Sequence, residues 1–333
     1  MAEPTSPKNS LPTRRDFLKR AALILPAALC ATEAAALAPI RRIGGAHLRT
    51  GLNAYSFLEL LNANLADESK GVDLFAVCDF AAKQDFDAVD LTGYFFPGYP
   101  KPPADAYVNR IKRHAHDLGL AISGTGVSND FTAADKAVRA TGVQIIKDWI
   151  EVAARLGAPS VRVFADARDP FKKWQDASGN AKREDVEAWM AEALHGCAEH
   201  GEKFGVIVAV QNHGDFITSG AEHLALLQRV DHDSCRALVD TGKYMTDDPY
   251  ADIALMVPHA VNWQIKETLR SRTDSPRTDF RRLVKIIREG GYRGDLPIET
   301  LSMRRKDYDP FVEVAKVHGE LREAIRETDA GSK

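Results

Sequence analysis

The sequence predicts one α/β domain, a closed parallel (β/α)8 barrel, also called a TIM barrel. Short apolar runs rich in β-branched residues alternate with stretches of helical periodicity from residue 50 onward. Counting them gives eight strands and eight helices in strict alternation, which favours a closed barrel over an open doubly wound sheet. The length of 333 residues and the hydrophobic fraction of 44% allow one large core of this kind, although two domains would also fit the length.

The predicted strands are short and end in polar residues. They cover 50–57, 88–92, 121–125, 160–165, the run that starts at 205, 236–240, 261–266 and 296–300. The helices, placed by apolar periodicity, cover 73–84, 104–118, 142–156, 184–203, 221–230, 250–257, 280–289 and 310–326. A long polar loop is expected over 166–183.

The first 38 residues look like an export signal rather than a part of the barrel. Arg14 and Arg15 precede an uncharged, Ala/Leu-rich run, and this pattern resembles a twin-arginine signal. Small residues that offer cleavage sites follow at Ala34, Ala36 and Ala38. We therefore expect export by the twin-arginine machinery, cleavage near Ala36 to Ala38, and a periplasmic mature protein without a membrane span. The alternative is a basic, Ala-rich N-terminal helix of the folded domain.

The expected organisation is a signal peptide at 1–38, a linker at 39–49, the barrel at 50–328 and a disordered tail at 329–333. The formal charge of −3 and the scattered basic residues offer no basic surface for nucleic acid. Three cysteines beyond the signal form no even framework, so we expect free and mostly buried thiols. They are Cys78, Cys197 and Cys235.

Polar side chains end four successive strands in the second half of the barrel. Gln211 ends strand five, Asp240 ends strand six, Gln264 and Lys266 end strand seven, and Glu299 ends strand eight. The carboxyl ends of barrel strands carry the active sites of these folds. An oxygen-rich set of this kind suits a divalent cation such as Mg²⁺ or Mn²⁺, whereas zinc is less favoured because no Cys or His cluster is present. The alternative for each residue is a hydrogen-bonded polar group that caps the barrel.

Strand five also directs an imidazole to this edge. Because side chains alternate along a strand, Gln211 and His213 should point to one side and Asn212 to the other. An amide and an imidazole would then converge on the same ligand. For His213, a purely structural hydrogen bond is the alternative.

Strand ends in the first half are candidates for substrate binding, since a polyhydroxylated ligand needs fixed donors and acceptors beside an aromatic wall. Asn53 and Tyr55 share a face at the end of strand one, and Asp90 ends strand two. Arg162 and Phe164 share a face on strand four. Arg162 could equally pair with a barrel acid, and the aromatic residues could serve loop packing.

Four segments resemble the sugar phosphate isomerase/epimerase superfamily, the xylose isomerase-like barrels. They are Val210-Gln211-Asn212-His213, Val239-Asp240-Thr241-Gly242, Trp263-Gln264-Ile265-Lys266-Glu267 and Gly291-Tyr292-Arg293-Gly294-Asp295-Leu296-Pro297-Ile298-Glu299. Members typically bind one divalent metal at the ends of strands five to eight. The resemblance implies one divalent ion here, with Mn²⁺ or Mg²⁺ favoured over Co²⁺ or Zn²⁺. Its implied ligands are Gln211, Asp240, Gln264 and Glu299.

Two of these positions depart from the better-known epimerases. Gln211 stands where they have Glu, and Gln264 stands where they often have His. In those epimerases the carboxylates of strands five and eight pass a proton across the two faces of the substrate, and an amide cannot act as a base. The resemblance then leaves Glu299 as the carboxylate that moves a proton, with His213 or Lys266 as its catalytic partner.

The resemblance implies a metal-dependent isomerase or epimerase that acts on a ketose or oxidised sugar through an enediolate. We expect a non-phosphorylated substrate, because sugar phosphates are cytoplasmic metabolites and this protein is expected to be exported. A lyase or dehydratase on a keto-sugar or keto-glycoside is an alternative, since the same enediolate can expel a β-substituent. A non-catalytic sugar-binding barrel also stays open. Abasic-site endonucleases share the fold, but the strand ends here lack their many zinc-binding His and Glu residues.

Overall fold

The computed structural model describes residues 37–167, 172–302 and 305–330 of the chain. Within these ranges eight parallel strands form one sheet, in the spatial order β7-β6-β5-β4-β3-β2-β1-β8. The strands are β1 His47–Asn53, β2 Ala88–Thr92, β3 Ala121–Gly126, β4 Ser160–Phe164, β5 Ile207–Gln211, β6 Cys235–Asp240, β7 Ala260–Gln264 and β8 Arg293–Ile298. A single bridge beyond β7, between Ile265 and Ile298, nearly closes the barrel. The predicted fold class is confirmed.

Helices alternate with the strands along the chain. They are α1 Leu58–Ala66, α2 Leu74–Lys83, α3 Asp105–Asp117, α4 Lys136–Leu156, α5 Trp174–Ala177, α6 Arg183–Phe204, α7 Gly220–Val230, α8 Pro249–Met256, α9 Phe280–Glu289 and α10 Pro310–Ala330. Local hydrogen bonds fix their ends. Asp73 and Asp135 cap the first turns of α2 and α4, and Ser219 and Glu222 form a capping box at α7.

Several element boundaries differ from the sequence prediction. The run 50–57 is not one strand, because β1 ends at Asn53, whose side chain accepts from the Tyr55 amide and starts a 3-10 turn that leads into α1. Helix α4 starts at Lys136 rather than near 142, since Asp135 accepts from the Ala137 amide. Strand β8 covers Arg293–Ile298, so Glu299 lies just after the strand.

The residues that precede β1 pack against the amino-terminal end of the barrel. Leu37 is buried, the Ala38 carbonyl accepts from Arg236 at 2.9 Å, and the Ile40 amide donates to Pro258 at 2.9 Å. The last two residues of the predicted signal and the start of the predicted linker therefore contact the barrel. The predicted signal peptide falls almost entirely outside the described residues, as does most of the predicted tail. Across the described ranges, no helix is both long and apolar enough to cross a membrane.

The core lies between the strands and the surrounding helices. Its largest fully buried side chains include Trp149, which packs edge-on against Phe96. Cys78 and Cys197 are free and buried, as the sequence predicted, and burial raises the pKa of each thiol to about 12. Such thiols are poor nucleophiles, so they serve packing.

Candidate active site

The carboxyl ends of the strands open into a cavity of about 800 Å³. Its lining mixes aromatic, acidic, basic and amide side chains. Among the lining residues are Tyr55, Tyr94, Arg162, Phe164, Asp166, Gln211, His213, Lys243, Gln264, Lys266 and Glu299. This is the edge at which (β/α)8 barrels place their chemistry.

An amide at the end of β5 joins two neighbouring strands. Gln211 Nε2 donates to Asp240 Oδ2 at 2.9 Å and to Gln264 Oε1 at 2.5 Å. The second oxygen of Asp240 accepts from the Gly242 amide at 3.0 Å. Asp240 itself is fully buried and lies behind the cavity wall, so both of its oxygens are held by protein donors.

A buried ion pair lies beside this amide. The Lys266 ammonium donates to Glu299 Oε1 and lies 3.6 Å from Asp240 Oδ2. Burial alone disfavours the charge of Lys266, but Asp240 and Glu299 outweigh it and raise the pKa of the ammonium. The site thus holds two carboxylates and one ammonium. The structure brings together all four residues that the resemblance implies as metal ligands. The ammonium of Lys266, which is not one of the four, lies between two of them.

This arrangement does not fit a divalent ion. Exchange of O and N in the Gln211 amide would turn its oxygen towards Asp240 Oδ2, so the network fixes the NH₂ group on that side. Glu299 and Asp240 already face an ammonium. Among the described residues, no cluster of three or more His, Cys, Asp or Glu is placed to hold a metal. Only one observation favours a bound ligand. Gln211 Oε1 is buried and has no hydrogen-bond partner among the described residues, so it is free to bind a ligand atom.

Asn212 points away from the cavity, as strand alternation predicts. Its side chain donates to the Asp240 carbonyl at 2.9 Å and accepts from the Asp240 amide at 2.8 Å. These two bonds clamp the end of β5 to the end of β6. They hold Asp240 at the depth at which Gln211 can reach it.

His213 lines the cavity and pairs with a residue that the sequence analysis did not single out. Its Nδ1 lies 3.0 Å from Asp166 Oδ2, and the other oxygen of Asp166 accepts from the Phe216 amide at 3.0 Å. A carboxylate at Nδ1 favours the tautomer that carries its proton there, which leaves Nε2 as an acceptor. Asp166 was assigned to a polar loop, although its position two residues after β4 was the available signal.

Arg162, Phe164 and the aromatic residues around them form one wall of the cavity. The Arg162 guanidinium donates to the Tyr94 hydroxyl at 2.8 Å and lies 4.1 Å from the Phe164 ring centre. Space for it depends on Gly126, where a Cβ would come within 2.9 Å of the guanidinium nitrogens. Tyr55 lies on the same wall, 6.2 Å from Tyr94 between ring centres. The wall offers stacking surfaces and hydrogen-bonding groups together.

Two predicted substrate-binding residues are not part of the cavity lining. Asn53 is buried and accepts from the Tyr55 amide and the Thr92 hydroxyl, so it caps a turn. Asp90 lies in the barrel interior and accepts from Asn262 at 2.9 Å. Burial raises the pKa of Asp90 to about 6, although the Asn262 bond and Arg162 act in the opposite direction.

The fold and this edge define the class of protein: a (β/α)8 barrel with paired titratable side chains at the carboxyl ends of its strands. These side chains are the buried pair of Lys266 and Glu299 and the pair of His213 and Asp166. The chain belongs to the xylose isomerase-like TIM barrel family, whose model matches residues 78–327.

Sugar epimerases are among the relatives of this chain. The chain is 25% identical to L-ribulose 3-epimerase of Mesorhizobium japonicum over 211 residues, which cover 60% of this chain and 68% of that protein. Its fold is similar to D-psicose 3-epimerase from Clostridium cellulolyticum, with a TM-score of 0.64, 14% identity and coverage of 85% and 98%. The 3-keto-D-glucoside 4-epimerase of E. coli is similar to it with a TM-score of 0.63 and 14% identity, and the match covers 84% of this chain and 99% of that chain. At these identities the structural matches show the fold.

Proposed function

We propose that this protein is a sugar isomerase or epimerase that moves a proton on the carbon next to the carbonyl of a non-phosphorylated ketose or oxidised sugar. The observation that carries the proposal is the buried pair of Glu299 and Lys266 on a cavity that also holds His213. The family and the L-ribulose 3-epimerase relative support an enzyme of this class. Export by the twin-arginine pathway to the periplasm is part of the proposal and rests on the sequence pattern alone.

Glu299 is the carboxylate that takes the proton from carbon. It is buried and hydrogen-bonded to Lys266, so a substrate carbonyl bound beside it would meet a fixed positive charge. That charge stabilises the enediolate oxygen as the C–H bond breaks. His213, held by Asp166 at Nδ1, starts this step as the imidazolium, gives its Nε2 proton to the carbon from the other side of the substrate, and becomes the neutral tautomer with Nε2 as an acceptor. Between turnovers Glu299 loses its proton to water and His213 regains one, which balances the reaction.

The divalent cofactor implied by the family resemblance stays a prediction. Because Asp240, Gln211 and Lys266 do not fit such an ion in their present arrangement, none of the steps above uses one.

Solvent deuterium exchange tests the proposal. The purified protein is incubated in D₂O with L-ribulose, D-psicose, D-tagatose, D-fructose and a 3-keto-glucoside, and each sugar is followed by NMR. At least one sugar should gain deuterium next to its carbonyl together with its epimer or isomer, and Glu299→Gln should lower that rate roughly 10²- to 10⁴-fold. Glu323→Gln, which changes an exposed glutamate on α10 outside the cavity, is the matched control. Full recovery of all sugars without deuterium would remove the proposed activity.

Elimination is the second candidate, and one observation favours it. An amide stands at 211, so a single carboxylate, Glu299, faces the cavity from this cluster, with His213 placed to protonate a leaving group. The same NMR experiment separates the two reactions. A lyase or dehydratase releases a β-substituent and leaves an unsaturated ketone, whereas an epimerase conserves the composition of the sugar.

A further inference from the structure

We propose that the Lys266 ammonium is the resident cation of this site and takes the place of a divalent metal ion. Three buried side chains carry the inference. Lys266, Asp240 and Glu299 have side-chain exposures of 8%, 0% and 6%, and the ammonium reaches both carboxylates. A cation is therefore already present where the carboxylates of Asp240, at the end of β6, and Glu299, just after β8, converge.

The two amides of the cluster complete this arrangement. The NH₂ group of Gln211 donates one hydrogen bond to Asp240 and one to Gln264. Asp240 therefore accepts from an N–H donor where a metal site would need a free oxygen. Neutral amides also limit the negative charge to two carboxylates. One ammonium leaves a net charge of −1 in the cluster, whereas a divalent ion added beside Lys266 would meet like charge at short distance. The charge of the cluster therefore suits either the Lys266 ammonium or a divalent ion, but not both together.

The backbone around Lys266 is built to hold the side chain in this position. Its amide donates to the Thr241 hydroxyl at 2.9 Å, and its carbonyl accepts from the Thr278 hydroxyl at 2.7 Å. Gly242 leaves room for the stem, because a Cβ there would lie 2.8 Å from Lys266 Cγ. Anchors on both sides and a glycine over the stem direct the ammonium into the cluster.

The consequence for catalysis rests on the proposed function. A single fixed positive charge beside Glu299 polarises a bound carbonyl and stabilises the enediolate oxygen without a bound ion. The binding of cations by the free protein does not depend on that function. A metal titration and the deuterium exchange experiment can therefore fail separately.

Manganese binding to the full-length chain tests the proposal. After treatment with a chelator and dialysis, the parent protein should keep its melting temperature and show no stoichiometric Mn²⁺ binding by calorimetry up to millimolar concentrations. Lys266→Met leaves two buried carboxylates without their cation, so it should melt at a lower temperature. It should also bind one Mn²⁺ at least tenfold more tightly than the parent, with a rise in melting temperature. Lys243→Met, in the same cavity, should behave as the parent does.

A second variant links the gain to the carboxylates. In Lys266→Met with Glu299→Gln the cluster keeps one carboxylate, so the gained Mn²⁺ affinity should be lost. Tight binding of one equivalent of Mn²⁺ by the parent would overturn the proposal, and this arm requires no variant to fold. Unchanged Mn²⁺ affinity in a folded Lys266→Met protein would overturn it as well.

Discussion

Gln211 holds the cluster together by donating to Asp240 and Gln264, and the same amide removes a base from the site. A carboxylate at this position would accept hydrogen bonds where the amide donates them, and it could also act as a base. One side chain therefore changes both the charge of the cluster and the route of the proton. The two properties can be measured separately.

Gln211→Glu should destabilise the protein and increase its affinity for metal. The substitution removes the donor to Asp240 and places two carboxylates in contact, which costs about 2 to 3 kcal/mol of unfolding free energy. The extra negative charge should also bind Mn²⁺, so added Mn²⁺ should restore part of the lost stability. Urea unfolding with and without Mn²⁺ measures both effects. Equal stability of variant and parent without metal would contradict this account of Gln211.

His213→Ala should lower the rate of deuterium exchange roughly 10²- to 10⁴-fold without loss of the fold. Asp166→Asn should give a smaller loss, since it removes the carboxylate that orients the imidazole but keeps the ring. His200→Ala changes a histidine on helix α6 that pairs with Glu151 outside the cavity, and is the control. Full exchange activity in His213→Ala would return the acid and base roles to Glu299 and Lys266.

Asp90 should make the protein less stable as the pH rises from about 4 to about 6. Its folded pKa of about 6 exceeds the ordinary value of 3.8, so the folded state keeps its proton over a range in which the unfolded state loses it. The stabilisation is complete below the ordinary pKa and is lost as pH rises through the folded value. Asp90→Asn should remove this dependence and be about 1 to 3 kcal/mol more stable than the parent at pH 7. Unfolding free energies at several pH values measure the difference, and parallel curves for the two proteins would contradict it.

The clamp between β5 and β6 is the element that positions the site. Asn212→Ala removes two hydrogen bonds to the Asp240 backbone in a fully buried position, so the loss of unfolding free energy should be about 1 to 3 kcal/mol. Asn64→Ala is a matched control, because that side chain also donates two hydrogen bonds, to the Glu68 and Lys70 carbonyls, but these bonds are exposed to solvent. Urea unfolding of both variants gives the comparison. Equal losses in the two variants would mean that burial of the clamp contributes nothing.

Element boundaries show where sequence patterns stop being informative. Strand β2 and helix α9 have the predicted bounds, because apolar periodicity there ends in clear polar breaks. Helix α1 was missed, since the apolar residues before it continue the pattern of β1 and the turn at Asn53 depends on one side-chain hydrogen bond. For a related reason, His213 was predicted as a candidate site residue but its partner Asp166 was not. Contacts between residues 47 positions apart leave no trace in local periodicity.

At the level of the whole molecule, alternation of strand and helix was sufficient for the fold, and the polar strand ends were sufficient to predict which side chains of β5 to β8 lie together. The barrel brings the ends of β5 to β8 to one edge whatever the details of each side chain. The sequence could not predict that Lys266 would reach Asp240 and Glu299, because this depends on the room beside Gly242. It also could not separate Asp90, in the barrel interior, from the residues that line the cavity.

Export can be tested on the whole chain. Replacement of Arg14 and Arg15 by Lys should leave uncleaved precursor in the cytoplasm, because the paired arginines are the part of the pattern that resembles a twin-arginine signal. Immunoblots of cell fractions measure the change, and replacement of Arg41 by Lys, outside the signal, is the control. Normal processing of the double variant would contradict the export prediction.

The site of cleavage should be the bond after Ala36, so that the mature protein begins at Leu37. Leu37 is 7% exposed, and the Ala38 carbonyl accepts from Arg236, so both residues contribute to the fold. Burial of one leucine is worth roughly 1.5 to 3 kcal/mol, which cleavage after Ala38 would forfeit. That cleavage would also have to break the bond to Pro39, a tertiary amide. Mass spectrometry of the exported protein identifies the first residue. A mature chain that begins at Pro39 with unchanged melting temperature would show that the packing of Leu37 is not required.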